Sequence, residues 1–76
     1  MNDSIELTKI EWQDFIEWYE EKYHYLDWER VSFGHCLIDH ITEQTVAVMS
    51  EIPEKYYVDV SIYRVSPWNK DKTIGS

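Results

Sequence analysis

Little in this chain could staple a fold or shape a phosphate-binding loop. Glycine occurs twice (Gly34, Gly75), proline twice (Pro53, Pro67) and cysteine once, at Cys36. A single thiol cannot close a disulfide within the chain, which fits a reducing compartment and argues against a secreted, cross-linked mini-protein. Two isolated glycines leave no glycine-rich phosphate loop and no nucleophile elbow. No apolar run approaches the roughly 20 residues that cross a bilayer, and the start, Met1 to Ser4, lacks the basic and apolar regions of a signal peptide. A cytoplasmic protein is expected. Positive charge is also scarce: seven Lys and Arg stand against fifteen Asp and Glu, a net charge of −8. That balance repels phosphate backbones and anionic lipid, so neither direct nucleic-acid binding nor membrane-surface binding is expected, whereas a basic protein partner is accommodated.

The chain has 76 residues, enough for one small domain. A chain of this size buries only about 60% of its unfolded surface, so its stability margin is thin. Twelve aromatic residues offset this, because each Phe, Tyr or Trp buries about 150–250 Å². Seven of the twelve lie between Trp12 and Trp28, interleaved with Asp14, Glu17, Glu20, Glu21 and Asp27. The charge is uneven too: residues 1–38 hold nine acids against Lys9, Lys22 and Arg30, and residues 39–76 hold six acids against four bases.

Thr8-Lys9-Ile10-Glu11 matches a capping box, in which the Thr8 hydroxyl accepts from the N3 amide and Glu11 reaches back to the Thr8 amide. Leu7 and Trp12 stand at the two positions of a hydrophobic staple. Trp12, Phe15, Ile16, Tyr19, Tyr23 and Leu26 then fall on one stripe of period 3.6, which predicts a helix over residues 9–27. Further on the period changes to two. Val46 and Val48, then Val58, Val60 and Ile62, alternate with their neighbours as in half-buried strands, with Pro53 between the runs and Pro67 after the second. Residues 31–41 fit either a strand, with Val31, Phe33 and Leu37 on one face, or a helix stacking Phe33, Leu37, His40 and Ile41. Gly34 would weaken that helix by roughly 1 kcal/mol, and Thr42-Glu43-Gln44 resembles a hairpin turn, so a strand is expected. The predicted fold is α+β: an N-terminal capped amphipathic helix packed on a three-stranded antiparallel sheet (αβββ). Residues 1–66 form the domain and residues 67–76 a polar tail in which only Trp68 is held down.

His35, Cys36, Asp39 and His40 are the only cluster of metal-ligating types. On a strand, Cys36 and His40 lie about 13 Å apart at roughly 3.3 Å per residue, too far to share an ion held about 2–2.3 Å from each ligand. Cys36 has no lysine or arginine within five positions to lower its pKa, as a nucleophilic thiol requires. A small buried cysteine and partly exposed histidines are the simpler reading, so no metal, cofactor or catalytic residue is assigned.

The acidic helix face is the stronger candidate. Seven carboxylates from Glu11 to Glu29 span about 27 Å at roughly 1.5 Å per residue, near one charge per 4 Å, which approaches the phosphate spacing of about 3.4 Å along a DNA strand. Such a row suits a basic groove built for nucleic acid. A charged outer helix face is ordinarily only solvated, but Trp18 and Tyr25 stand on this one, about 120–140° from the apolar stripe by the helical period. Trp and Tyr are typical interface anchors; Trp18 covered by the tail and Trp68 is the competing explanation. The expected binding residues are therefore Glu11, Asp14, Glu17, Trp18, Glu21 and Tyr25. The expected function is non-enzymatic: binding and inhibition of a protein with a basic surface, a nucleic-acid-processing enzyme or a toxin, in the manner of phage or plasmid inhibitors, immunity proteins and antitoxins. The alternative is an accessory or self-associating domain, a homodimer for example, which uses a sheet face presenting Tyr57, Asp59, Ser61 and Tyr63 or the open edge of the last strand.

Overall fold

A computed structural model describes residues 3–65. In chain order the elements are β1 (Ser4–Leu7), α1 (Lys9–Lys22), β2 (Leu26–Val31), β3 (Gly34–Asp39), β4 (Thr45–Glu51), β5 (Glu54–Asp59) and α2 (Val60–Tyr63). The strands form one antiparallel sheet in the order β1-β5-β4-β3-β2. The class is α+β with one N-terminal helix over an antiparallel sheet, but the sheet has five strands rather than three. The tail of residues 67–76, with Trp68, lies outside the described residues.

The helix begins as its capping box dictates. The Glu11 amide donates to Thr8 Oγ1 (3.2 Å), and Glu11 Oε1 accepts from the Thr8 amide (3.2 Å). The stripe Trp12, Phe15, Ile16 and Tyr19 is buried, and Leu7 joins the same core. Trp12 Nε1 donates to the Tyr57 carbonyl (3.0 Å), which ties the helix to β5. The helix stops at Lys22, five residues short of the expected end. Glu20 Oε2 accepts from the Leu26 amide (2.9 Å), so the chain reverses and Leu26 opens a strand. Tyr23 and Leu26 extend the 3.6 period, which hid this reversal; Leu-Asp-Trp-Glu carries a period of two underneath it, which Arg30 and Val31 do not continue. The other missed strand, β1, alternates Ser4, Ile5, Glu6 and Leu7 with period two, but over four residues only, too few to stand out.

The sheet face under α1 carries Ile5, Leu7, Leu37, Ala47, Tyr56 and Val58, as the cross-strand pairs Leu37–Ala47, Ala47–Val58 and Ile5–Val58 require. A register shift after Leu37 pairs Ile38 with Thr45 and leaves Val46 as the extra residue of a bulge. Two residues of the bulged strand then oppose one, and Val46 and Ala47 are both fully buried. The expected placement of Val46 and Val48 on one face fails here, because the bulge turns Val46 inward and leaves Val48 on the outer face.

The last strand also differs from expectation. Asp59 Oδ1 accepts from the amides of Ser61 (2.8 Å) and Ile62 (3.3 Å), capping α2 and ending β5. Tyr63 is therefore buried in the core, so no strand face presents Tyr57, Asp59, Ser61 and Tyr63 together. β5 lies between β1 and β4, and among the described residues the edges of the sheet are β1 and β2.

Candidate partner-binding surface

Asp14, Glu17 and Glu21 are exposed on α1. At 100° per residue the three lie within about 60° of one another, forming a strip along the helix. Glu11 shares that side, but its carboxylate is engaged by Thr8 in the capping box. Trp18 is half-buried and packed on the core, with its ring 5.7 Å from Phe15, 5.8 Å from Tyr23 in an edge-on arrangement, and 6.0 Å from Lys22 Nζ. It forms the floor beside the acids rather than a projecting anchor. Tyr25 is 76% exposed, yet it sits in the turn between α1 and β2 and not on the helix. The structure thus keeps Asp14, Glu17 and Glu21 together, gives Glu11 to the cap, seats Trp18 against the core and moves Tyr25 off the face.

An aromatic cleft adjoins the strip. Trp12, Gln13, Ile16, Glu17, Glu20 and Trp28 line a volume of about 310 Å³ between α1 and the edge strand β2. Trp28 is 54% exposed, stands edge-on to Trp12 at 5.8 Å and rests against His35 at 5.7 Å. Glu17 belongs to both the strip and the cleft. Trp28 is not among the expected binding residues because the helix was expected to run through Leu26 and Asp27, the first residues of β2. The alternation Leu26-Asp27-Trp28-Glu29 was the available signal. Glu20, one of the acids of the helix face, meets Trp28 only through β2.

Asp39 is the other concentration of charge. It is fully buried, and both oxygens are engaged. Oδ2 accepts from the Tyr19 hydroxyl (2.5 Å) and the His24 ring at Nδ1 (3.0 Å), and Oδ1 accepts from the amides of Ile41 (2.7 Å) and Thr42 (3.0 Å). Burial alone raises a carboxyl pKa, but these four donors outweigh it and hold Asp39 well below its ordinary value. The same contact, with burial as the larger cause, pushes the Tyr19 hydroxyl above its ordinary range. Asp39 is a hub that ties α1 to the turns on either side of the β2–β3 hairpin.

The residues of metal-ligating type separate. His40 Nδ1 lies 3.2 Å from Asp27 Oδ2 beyond the end of β3, and His35 turns toward Trp28. Cys36 lies on the outer sheet face beside Val48 and Tyr57. Among the described residues no three His, Cys, Asp or Glu side chains converge to hold a metal, and no helix is long and apolar enough to cross a membrane. The chain matches no protein-family model, no curated protein and no solved structure.

Proposed function

We propose that this is a small acidic, non-enzymatic protein of the cytoplasm that binds and inhibits a protein with a basic surface, such as a nucleic-acid-processing enzyme or a toxin. The observation that carries this reading is the continuity of the Asp14–Glu17–Glu21 strip with the Trp12–Trp28 cleft through Glu17. Carboxylates bordering exposed aromatic surface suit lysine and arginine, whose aliphatic stems cover the rings while their charges meet the acids. A net charge of −8 speeds the encounter with a cationic surface by electrostatic steering. The row of acids can stand in a groove that otherwise holds phosphates, without this protein touching nucleic acid itself.

The test is charge reversal. Asp14, Glu17 and Glu21 changed together to Lys should cost several kcal/mol of affinity for a partner captured by the wild type, with little effect on folding because all three face solvent. A captured partner that binds the variant as tightly as wild type would reduce the strip to a solvated face. A second reading, self-association through the sheet, is favoured by the outer face, where half-buried Cys36, Val48 and Tyr57 adjoin a depression of about 340 Å³. Assemblies of that kind persist at high salt, whereas a complex held by the acids weakens.

A further inference from the structure

β2 is an edge strand with β3 on one side and, among the described residues, no strand on the other. Antiparallel pairing makes alternate residues bond to the neighbouring strand and directs the backbone groups of the rest away from it. The Tyr25 carbonyl accepts from the His40 amide (2.9 Å), so Tyr25 bonds toward β3, and with it by alternation Asp27, Glu29 and Val31. Leu26, Trp28 and Arg30 point their N–H and C=O groups outward. Leu26 bears out this phase, since its amide meets Glu20 on that outer side (2.9 Å). Trp28 and Arg30 remain, offering backbone donors and acceptors beside the aromatic cleft.

We propose that this edge of β2 takes up an extended, lysine- or arginine-rich segment of a partner protein as a sixth strand. The inference rests on the basic-partner reading and specifies its mode. A strand laid along β2 alternates its side chains between the two sheet faces. On the α1 side, a residue beside Trp28 enters the cleft bordered by Glu17 and Glu20. On the opposite side its neighbours meet Asp27 and Glu29, both exposed. Basic residues therefore find carboxylates on either face. A second copy of this chain is a poor occupant. With Trp28 opposite its counterpart, Asp27 meets the copied Glu29, and a shift that sets Trp28 opposite Arg30 places Glu29 on Glu29. Like charges directly opposed destabilise a strand pair.

A short acetylated peptide alternating Arg and Thr serves as the probe, beside an analogue N-methylated at every residue. Both carry the same charge, but methylation of every amide prevents pairing with β2 in either phase. In low salt, the unmodified peptide should bind the full chain roughly tenfold or more tightly than that analogue, and the amide exchange of Trp28 and Arg30 should slow on binding. Arg30→Pro should abolish the preference for the unmodified peptide although it makes the protein more negative. The Arg30 amide faces outward, so proline spares the β2–β3 ladder, and the ion pair lost with Glu51 (3.4 Å) is an exposed one. Equal, salt-sensitive binding of the unmodified and the fully N-methylated peptide would overturn strand addition while leaving the basic-partner reading in place. No binding of any peptide at millimolar concentration would overturn both. Slow exchange of the Trp28 and Arg30 amides in the protein alone would show the edge already occupied, and would overturn the sixth-strand proposal only.

Discussion

Asp39 shows how one side chain can organise a small domain. It is fully buried and accepts four hydrogen bonds from three separate segments. Tyr19→Phe removes one donor to a charged acceptor and should cost roughly 1.5–3 kcal/mol, read from the urea midpoint. Because the folded pKa of Asp39 is depressed, its contribution is present above the ordinary value of 3.8 and is lost as pH falls below it. Acid unfolding should therefore begin at higher pH in Tyr19→Phe than in wild type. Tyr19 carries the opposite sign: its folded pKa is raised, so its contribution holds below the ordinary value of 10.0 and is lost as pH climbs past it. The phenylalanine variant should lack that alkaline loss. An unchanged pH profile at both ends would mean the contact does not form. Gly34 is a second single-residue constraint, since a Cβ there would come 2.0 Å from the Met49 carbonyl oxygen. Gly34→Ala forces β3 and β4 apart and should cost about 1–3 kcal/mol or more; a variant as stable as wild type would refute so close an approach.

At the scale of elements, α1 is where local chemistry and final structure agree. Its capping box, staple residues and stripe from Trp12 to Tyr19 were all legible, since each depends on residues within a turn or two. Thr8→Ala should lower stability by about 0.5–2 kcal/mol, measured by urea titration; no change would mean the helix starts elsewhere. Strand character in β3, β4 and residues 57–59 of β5 was legible for the same kind of reason. The far end of α1 was not, because Tyr23 and Leu26 satisfy the helical period while the Glu20 contact to the Leu26 amide decides the reversal. The end of β5 was hidden similarly: Val60 and Ile62 continue the alternation, and Asp59 capping α2 overrides it. In the candidate surface, Asp14, Glu17 and Glu21 were found from spacing alone, whereas the cleft that brings Trp28 to Glu20 required knowing that β2 is a strand at the sheet edge.

Across the whole molecule, fifteen acids outnumber seven bases in 76 residues, so the excess negative charge repels itself in the native state. Screening relieves that repulsion, so Tm at neutral pH should rise as ionic strength increases from about 0.01 M, where the Debye length is roughly 30 Å, to about 0.1 M, where it is roughly 10 Å. A Tm that falls over this range would mean that attractive pairs outweigh the net charge. The exposed pairs Arg30–Glu51 (3.4 Å) and His40–Asp27 (3.2 Å) are of the kind that contributes little.

By itself the sequence determined what depends on near neighbours and on sums: the α+β class, the capped start of α1, strand character within β3, β4 and the end of β5 but not their bounds, the acidic balance and the strip along the helix. Only the tertiary structure decided that β1 and β2 complete the sheet, that a bulge turns Val46 inward, that Trp18 packs down while Trp28 stands at the edge, and that Asp39 is buried with four donors. The physical reason is the reach of the interactions. Caps, periodicity and net charge are written in adjacent residues, whereas strand order, edges and the burial of one carboxylate arise from contacts between residues as distant as Tyr19 and Asp39, or Ile5 and Val58.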